Sequence, residues 1–539
     1  MIPGWILPLS ALTPLVLAFA GWCRPGRRIL PLLAVLALAP SLVTLLFLPV
    51  DTTFRLAKGH LEVLWSWDEL AQGFLGFTVL GWGLAAGYAA GYLRTHPRRS
   101  VFWVCFLAAM SGNLQLILAG DVLSFYTGLT MMGFAAWGLV TLEATPNALR
   151  AGRLYLAMVV LGEVLVLPAL IYAVLEAGTL RLGVLQAAWP IEGPAWMAVG
   201  LLWAGFGIKA GMAPLHFWLP VAHPAAPTPA SAVLSGCMIK TGLLGWLRLL
   251  PVEGPVVPVL ALAFVSTGVL NLVGGGLAGI CQRRAKAALA YSSLQAMGML
   301  MLMTACLFWE PSLRAVGVSL IVGYAGFHGL HKVGLFLAAG VSPVWPRARA
   351  LAWVSLGLLT ASYAGVPGLA GDRIKLQVKT LWEAVPPGLE PWWNPVLAIG
   401  AALTFALVGS AAWMMRPRPR APGSFAGSAA MVWILAVAAA VGLPWLGSAA
   451  TVRVPSWRAL LPLVAGAMIW GLLRARPGEE VAQAAAPHPT ADPAAPASPA
   501  PGASAPRRGL AHLEEQLAGP AAALAVLGLL LIMLLAGLA

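Results

Sequence analysis

The chain has 539 residues, of which 60% are hydrophobic and only 10% charged, and its mean hydropathy is +0.84. A soluble domain could not bury this much apolar side chain, so the composition excludes one and predicts a membrane protein. The net charge of +14 would favour a nucleic-acid partner in a soluble protein. In a membrane protein basic residues collect in cytoplasmic loops, so we expect a lipid bilayer around the chain and no nucleic acid.

Long apolar runs recur along almost the whole chain and predict an all-α polytopic membrane protein of about sixteen transmembrane helices. No basic segment precedes the first run, so we expect a first span there and not a cleaved signal. Spans 7 and 12 are predicted to be broken helices, at Pro214 and at GVPGLAG (365–371). The predicted spans lie near 4–22, 29–49, 71–92, 101–119, 121–142, 152–176, 194–213, 228–250, 256–281, 286–306, 313–341, 350–383, 393–416, 425–448, 457–474 and 516–538.

Lysine and arginine are distributed unequally between alternate loops. They concentrate after the odd-numbered spans, for example at Arg94, Arg98 and Arg99 after span 3. This asymmetry predicts that those loops face the cytoplasm, that the protein lies in the inner membrane, and that both termini are on the outer face. Residues 475–515 are rich in Pro and Ala and are predicted to be an extended cytoplasmic linker before the last span.

Cofactor motifs are missing from the sequence. GGGLAG (274–279) matches the dinucleotide pattern, but it lies in an apolar helix with no preceding strand, the context that this pattern requires. The cysteines form no C-x-x-C pair, which argues against an iron–sulfur cluster or a zinc site. We therefore expect no cofactor in this chain. The five cysteines are Cys23, Cys105, Cys237, Cys281 and Cys306.

Six basic residues lie within or beside predicted spans instead of in loops. A lysine near mid-membrane costs about 2.5–3.5 kcal/mol on insertion scales, and burial in general favours the neutral form of an amine. A row of such groups, bridged by water and gated by a carboxylate, would conduct protons. The alternative, a side chain that reaches the membrane interface, applies most to Arg373 and Lys379. The six residues are Lys209, Lys240, Lys332, Arg373, Lys375 and Lys379.

The segment between Lys209 and Lys240 contains five prolines, so a continuous helix is not expected there. Broken backbone at membrane depth is tolerated where it is buried in protein or lines a water-filled cavity, and it is typical of ion sites in transporters. His216 and His223 flank the break and could relay protons. As alternatives, His216 could cap the broken backbone, and His223 could lie in a loop near the surface.

Spans 6, 11 and 12 supply the remaining candidates for proton translocation. HGLHK places His328, His331 and Lys332 on one face of span 11. Lys375 follows the break of span 12, and Glu163 is the acid in the middle of span 6, either functional or held by a structural hydrogen bond. Accessory candidates in span 12 are Asp372, Arg373 and Lys379.

Four segments resemble motifs of the antiporter-like membrane subunits of respiratory complex I, group 4 membrane-bound hydrogenases, formate hydrogenlyase and multisubunit cation/proton antiporters. The most specific is GIKAGMAPLHFWLPVAHPAAPTPASAVLSGCMIKTG (207–242), where HPAAP followed by SGCMIK is nearer to the hydrogenase and cation-antiporter branches. The resemblance covers about 60–415. The other segments are QRRAKAALAYSSLQAMG (282–298), HGLHKVGLFLAAG (328–340) and VPGLAGDRIKLQ (366–377).

The resemblance implies two inverted five-helix repeats, each forming a half-channel. It also implies that Lys209 pairs with a carboxylate, that Lys240 bridges the half-channels, that His328 is the span 11 histidine, and that Lys375 opens to the far side. The implied organisation is helices 1–3 in 1–100, the first repeat (helices 4–8) and the start of the second in 101–281, helices 9–13 in 256–416, helices 14–15 in 417–474, the linker in 475–515 and a final helix in 516–539.

The sequence departs from the family pattern at the expected gate. In FYTGLTMMGFAAWG (125–138), Thr130 stands where the family has a glutamate, and Val221 replaces the acid that usually precedes Ala-His. Glu163 lies in the neighbouring antiparallel span at a depth similar to that of Thr130. We hypothesise that Glu163 has taken over the pairing with Lys209. The linker is also unlike the long lateral helix of the largest complex I subunit of this type.

The favoured function is a proton-translocating subunit of a redox-driven complex that is similar to complex I or to a membrane-bound hydrogenase. With no redox group of its own, the chain would need other membrane subunits and peripheral iron–sulfur subunits for electron transfer. Two alternatives are a subunit of a secondary cation/proton antiporter and a subunit of an inorganic-carbon uptake complex. A third is a non-conducting structural subunit, because Thr130 replaces the usual glutamate.

Overall fold

The computed structural model describes residues 3–22, 24–58, 61–187, 195–252, 254, 256–341, 346–383, 390–416, 427–442 and 464–469. The predicted linker, the last span and most of span 15 lie outside these residues. The described chain is mostly helical, as predicted. Its helices are α1 (Ile6–Ala18), α2 (Arg24–Leu36), α3 (Ala39–Phe47), α4 (Glu69–Tyr92), α5 (Arg99–Leu118), α6 (Val122–Val140), α7 (Pro146–Ala177), α8 (Leu182–Ala187), α9 (Ala195–Ala210), α10 (Trp218–Ala225), α11 (Thr228–Val233), α12 (Lys240–Leu249), α13 (Pro258–Val269), α14 (Gly275–Ile280), α15 (Ala285–Trp309), α16 (Arg314–Ala338), α17 (Pro346–Ala364), α18 (Ala370–Glu383), α19 (Glu390–Met414) and α20 (Gly427–Gly442).

Membrane-spanning helices dominate this fold. Within the described residues, ten helical segments are long and apolar enough to cross a bilayer, and α1, α9 and 432–442 are shorter apolar helices. Side-chain caps define several helix starts: the Asp121 carboxylate accepts from the Ser124 N–H at 2.9 Å, and the Thr145 hydroxyl accepts from the Ala148 N–H at 3.1 Å. The chain is therefore a multi-pass membrane protein.

A β-hairpin was not anticipated by the all-helical prediction. Strands β1 (Thr52–Lys58) and β2 (Leu61–Trp67) pair antiparallel, with Thr52 opposite Trp67. The hairpin is anchored to the start of α6, since the Leu64 N–H donates to the Asp121 carboxylate at 2.7 Å. Its stabilising contact therefore comes from a residue more than fifty positions away, which a local reading of 51–67 does not reveal.

Both segments predicted to break are interrupted in the structure. The backbone leaves the helix between α9 and α10, and again between α17 and α18. The prolines that follow Pro214 do not prevent a helix, because Pro220 and Pro224 lie within α10. Two π-turns, Leu234–Met238 and Leu270–Gly274, interrupt the helices on either side of the α12–α13 connection.

At the first break Gly211, Met212 and Ala213 are buried inside the bundle, whereas Pro214 and Phe217 are exposed. Helix α9 packs along α7, α10 contacts α7 and α15, and α16 lies against α4 and α15. The span that contains α11 and α12 is buried throughout, and α15 is almost fully enclosed. The ionisable side chains that these elements bury are Lys209, His223, Lys240, His328, His331 and Lys332.

Candidate functional site

Lys209 and Glu163 form a buried ion pair at the end of α9. The Lys209 Nζ donates to the Glu163 Oε1 at 3.4 Å, and both side chains are 8% exposed. Thr130 on α6 donates its hydroxyl to the Glu163 Oε2 at 3.3 Å. Thr130 thus contacts the carboxylate that pairs with the lysine.

Gly133, which the sequence analysis missed, leaves the space for this pair. A methyl group at position 133 would lie 2.9 Å from the Lys209 Nζ and 3.2 Å from the Glu163 Oε1. Both distances are shorter than ordinary contacts between such groups. Any side chain at this position would therefore have to displace the charged atoms.

Lys209 is the last residue before the C-terminal cap of α9. Gly211 adopts a left-handed conformation (φ 70°), and the N–H groups of Gly211 and Met212 return to Ile208 O and Gly207 O, at 3.1 and 2.7 Å. This is a Schellman motif, in which glycine is favoured because only it adopts positive φ without strain. The partial negative charge at a helix C-terminus adds to the attraction of Glu163 for the ammonium group.

The break beyond this cap is held by Asn271, a second residue that the sequence analysis missed. Its side-chain Oδ1 accepts from the Ala213 N–H at 2.7 Å, and its Nδ2 donates to Gly211 O at 3.2 Å. Asn271 lies in the second π-turn and is fully buried.

Lys240 is fully buried, and its Nζ donates to the backbone carbonyl of Ser235. In a regular helix that carbonyl would accept from the N–H of Ile239, but the π-turn redirects this N–H to Leu234 O at 3.1 Å. The Ser235 hydroxyl in turn bonds to the Ser293 hydroxyl of α15 at 2.6 Å. Neither serine was singled out from the sequence, where small hydroxyl residues in apolar helices give no distinctive signal.

His331 and Lys332 on α16 reach two different neighbouring helices. The Lys332 Nζ donates to Leu289 O at 3.0 Å and to the Ser292 hydroxyl, both on α15. His331 bonds through Nε2 to the Ser362 hydroxyl of α17 at 2.9 Å. The predicted shared face is therefore buried between α15 and α17.

His223 and His328 are fully buried, and neither ring nitrogen of either residue has a hydrogen-bond partner within the described chain. The expectation that His223 lies in a loop near the surface is wrong. It lies on α10, where its ring stacks on Phe336 of α16 at 4.6 Å. His216 lies just before α10, is half-buried and stacks on Phe217.

Lys375 sits at the break between α17 and α18. Its Nζ donates to Ala364 O, the last carbonyl of α17, at 2.6 Å. Asp372 accepts from the Gly368 N–H at 3.2 Å and so closes the break. Arg373 is half-buried, while Lys379 is exposed, in keeping with a side chain that reaches the membrane interface.

A further ion pair fixes the helix that carries Lys240. Arg248, near the end of α12, donates to both carboxylate oxygens of Asp68, at 2.5 and 2.8 Å, just before α4 begins. Burial acts to raise the pKa of Asp68, but the hydrogen bonds and the charge of Arg248 outweigh it and hold that pKa below its ordinary value of 3.8. Among the described residues, no cluster of three His, Cys, Asp or Glu side chains could hold a metal ion.

Broken membrane helices that enclose lysines, histidines and a paired carboxylate are typical of membrane proteins that move ions. The family model described as NADH:quinone oxidoreductase/Mrp antiporter, TM matches residues 119–385. This range contains Lys209, Lys240, Lys332 and Lys375. The chain belongs to the antiporter-like membrane subunits of the complex I, hydrogenase and Mrp family.

The relatives include hydrogenase-4 component B of Escherichia coli (strain K12), 31% identical over 47% of this chain and 39% of the relative. NADH-quinone oxidoreductase subunit N of Geobacillus kaustophilus is 26% identical over 75% of this chain and 84% of the relative. A chain of the Mrp complex from Dietzia sp. has a similar fold, with a TM-score of 0.69 and 23% identity over 87% of this chain and 55% of that one. The chain spans less than half the length of the first of these relatives.

Proposed function

We propose that this chain translocates protons as one subunit of a larger membrane complex. The observation that carries the proposal is the buried Lys209–Glu163 pair, 3.4 Å apart, beside a broken helix. An ionisable pair enclosed in a membrane protein is costly, and such pairs are typical of ion pathways. Glu163 holds a proton on Lys209, and a change that weakens this attraction releases the proton toward the interior.

The central part of the route runs through Lys240 and Lys332. The Ser235–Ser293 hydroxyl pair lies beside Lys240, and Ser292, next in sequence to Ser293, bonds to Lys332. Hydroxyl groups both donate and accept, so they can pass a proton without holding a charge.

Water completes this central section. Buried polar groups almost always have a hydrogen-bond partner, and ordered water supplies it where protein does not. The unpartnered ring nitrogens of His223 and His328 are therefore the sites where we place bridging water.

The exit lies at the second broken helix. His331 bonds to Ser362, two residues before the carbonyl of Ala364 that accepts from Lys375. Lys375 thus occupies the position from which a proton leaves toward the far side. Asp372, Arg373 and Lys379 are accessory on this side, and His216 has that role near the first break.

The order of interruptions supports two inverted repeats. In the first set of five segments (α5, α6, α7, α9–α10, α11–α12) and in the second (α13–α14, α15, α16, α17–α18, α19), the fourth segment is broken.

We propose sixteen spans in all, with both termini on the outer face of the inner membrane, in agreement with the charge asymmetry of the loops.

The proposed partners follow from the expectation that this chain carries no redox group. We propose that the chain holds no cofactor and that membrane subunits and peripheral iron–sulfur subunits carry the electrons. The relatives named as a hydrogenase component and an oxidoreductase subunit favour this redox-driven complex. The fold shared with the Mrp complex keeps a secondary cation/proton antiporter as the second candidate. Glu163 beside Lys209 speaks against a non-conducting structural subunit.

The test is proton transport by the Lys240→Ala variant, purified from native membrane with its co-purifying subunits and reconstituted in vesicles with a pH-sensitive dye. We expect assembly to persist and proton transport to be lost, because the central route then lacks its buried amine. Arg150→Ala, which removes an exposed basic residue near the start of α7, serves as the control. Normal transport by Lys240→Ala would contradict the proposed route, and the co-purifying subunits would identify the type of complex.

A further inference from the structure

The break after α9 creates a local problem of hydrogen bonding. Residues 211–217 leave the helix inside the bundle, where Gly211, Met212 and Ala213 are buried. A buried backbone group without a partner loses its hydration and gains nothing in return. The Schellman cap satisfies the N–H groups of Gly211 and Met212, and it leaves the Gly211 carbonyl and the Ala213 N–H to be satisfied from elsewhere.

Asn271 satisfies both groups. Its Oδ1 accepts from the Ala213 N–H at 2.7 Å, and its Nδ2 donates to Gly211 O at 3.2 Å and to Leu294 O of α15 at 3.4 Å. An N–H can pair only with the amide oxygen and a carbonyl only with the amide nitrogen, so these partners fix the orientation of the side chain. The amide replaces the helical hydrogen bonds that the break removed.

The position of Asn271 is itself tightly set. It lies in the π-turn Leu270–Gly274, and α15 packs closely against this turn at Gly298. A methyl group at position 298 would lie 2.6 Å from the Leu272 nitrogen and 2.8 Å from the Asn271 Cβ. The close packing of α15 therefore fixes the position of the Asn271 amide. In this way the second set of five segments places the amide beside the break in the first set.

We propose that Asn271 is a positioning residue. It holds the break after α9, in the first set of five segments, against the second set, and so keeps Lys209 close to Glu163. Lys209 lies two residues before Gly211, whose carbonyl Asn271 holds. Without the amide, Gly211 O and the Ala213 N–H lose their hydrogen bonds to Asn271. The distance between the Lys209 Nζ and the Glu163 carboxylate is then no longer fixed by this contact. The consequence for transport rests on the proposed function, whereas the anchoring of the backbone does not.

Asn113 provides a matched control. It is also a fully buried asparagine, and its Oδ1 accepts from the Trp82 indole N–H at 2.9 Å, between α5 and α4. Substituting it removes a buried amide of the same kind without touching the break. A general loss of stability would affect both variants, but a role at the break would affect only the Asn271 variant.

The experiment is hydrogen–deuterium exchange on the purified full chain with its co-purifying subunits, followed in peptides that cover 205–222. Asn271→Leu should speed exchange of the Ala213 amide by about tenfold or more, because the Asn271 Oδ1 that accepts from this N–H is lost. Asn113→Leu should leave these peptides as in the wild type. Unchanged exchange in Asn271→Leu would overturn the proposal.

Asn271→Asp tests the mechanism and replaces the leucine variant should that fail to accumulate. A protonated carboxyl group matches the amide, since its O–H donates to Gly211 O while its other oxygen accepts from the Ala213 N–H. The backbone amides of 211–217 in Asn271→Asp are compared with the wild type at each pH. They should be as well protected from exchange as in the wild type at acidic pH, and less protected at alkaline pH. Protection that does not depend on pH would contradict the proposed arrangement.

Proton transport, measured on the same preparations, separates the two proposals. Faster exchange with reduced transport supports the positioning role. If the wild type transports protons and Asn271→Leu shows faster exchange with normal transport, the positioning role is overturned. If the wild type itself transports none, the proposed function fails, and the exchange data still decide whether Asn271 anchors the break.

Discussion

Glu163→Gln should abolish most proton transport, because it removes the charge that holds the Lys209 ammonium group. For unit charges 3.4 Å apart, an effective dielectric constant of about 20 gives an attraction of about 5 kcal/mol. Breaking a buried pair by neutralising one partner typically costs about 3–5 kcal/mol. The glutamine keeps the shape and a hydrogen bond, so the change acts mainly on charge.

The assay is proton uptake into vesicles under an imposed membrane potential, with the purified chain and its co-purifying subunits. Glu176→Gln is the matched control, since Glu176 is exposed near the end of the same helix α7. The double variant Glu163→Gln/Thr130→Glu should recover transport, because position 130 faces the same carboxylate site. Wild-type transport by Glu163→Gln would refute the pairing role of Glu163.

Two further predictions concern the space beside Lys209 and the ion pair between Asp68 and Arg248. Gly133→Ala should slow proton uptake severalfold, because its methyl group would lie 2.9 Å from the Lys209 Nζ. Gly323→Ala is the control and should leave uptake normal, because a methyl group at position 323 meets no atom within 4 Å. Equal effects of the two variants on uptake would contradict this prediction. The pKa of Asp68 is lowered in the folded chain, and its pair with Arg248 contributes about 1.5–3 kcal/mol to the free energy of unfolding. This contribution is fully present at pH values above the ordinary carboxyl pKa, and it is lost as the pH falls through the folded pKa. Thermal unfolding in detergent should therefore show an acid-dependent loss of stability that is smaller in Arg248→Gln, and the same pH dependence in both proteins would rule this out.

The sequence could predict the features that depend on single residues or on local composition. Apolar runs predicted sixteen spans, and ten helical segments of the described residues are long and apolar enough to be spans. GVPGLAG predicted the break before α18, and lysines in apolar surroundings predicted the candidate route. The pairing of Glu163 with Lys209 was also accessible, because neighbouring antiparallel helices bring residues of similar depth together. These predictions required only the length of a span, the helix-breaking tendency of Gly and Pro, and the cost of a buried charge.

The features that were missed depend on contacts between distant parts of the chain. Asn271 is one polar residue in an apolar helix, and its partners Gly211 and Ala213 lie some sixty positions earlier. The availability of the Ser235 carbonyl to Lys240 depends on a π-turn, a shift of one residue in the hydrogen-bonding register that leaves no mark on composition. The burial of His223 likewise depends on how α10 packs against α16.

On the proposed function, the contact between Thr130 and Glu163 explains why the loss of a motif residue is weak evidence for the loss of a function. What the Lys209 ammonium group requires is a carboxylate at a given point in space, and α6 and α7 both border that point. Thr130 is within 3.3 Å of the Glu163 Oε2, so a carboxylate can move from one helix to the other with little change in its distance from the lysine. A threonine at the vacated position then donates a hydrogen bond to the relocated acid, which a second glutamate could not do without repulsion. On the proposed function, the electrostatic requirement is met by either of two helices and not at a single position, and the double variant Glu163→Gln/Thr130→Glu tests this directly.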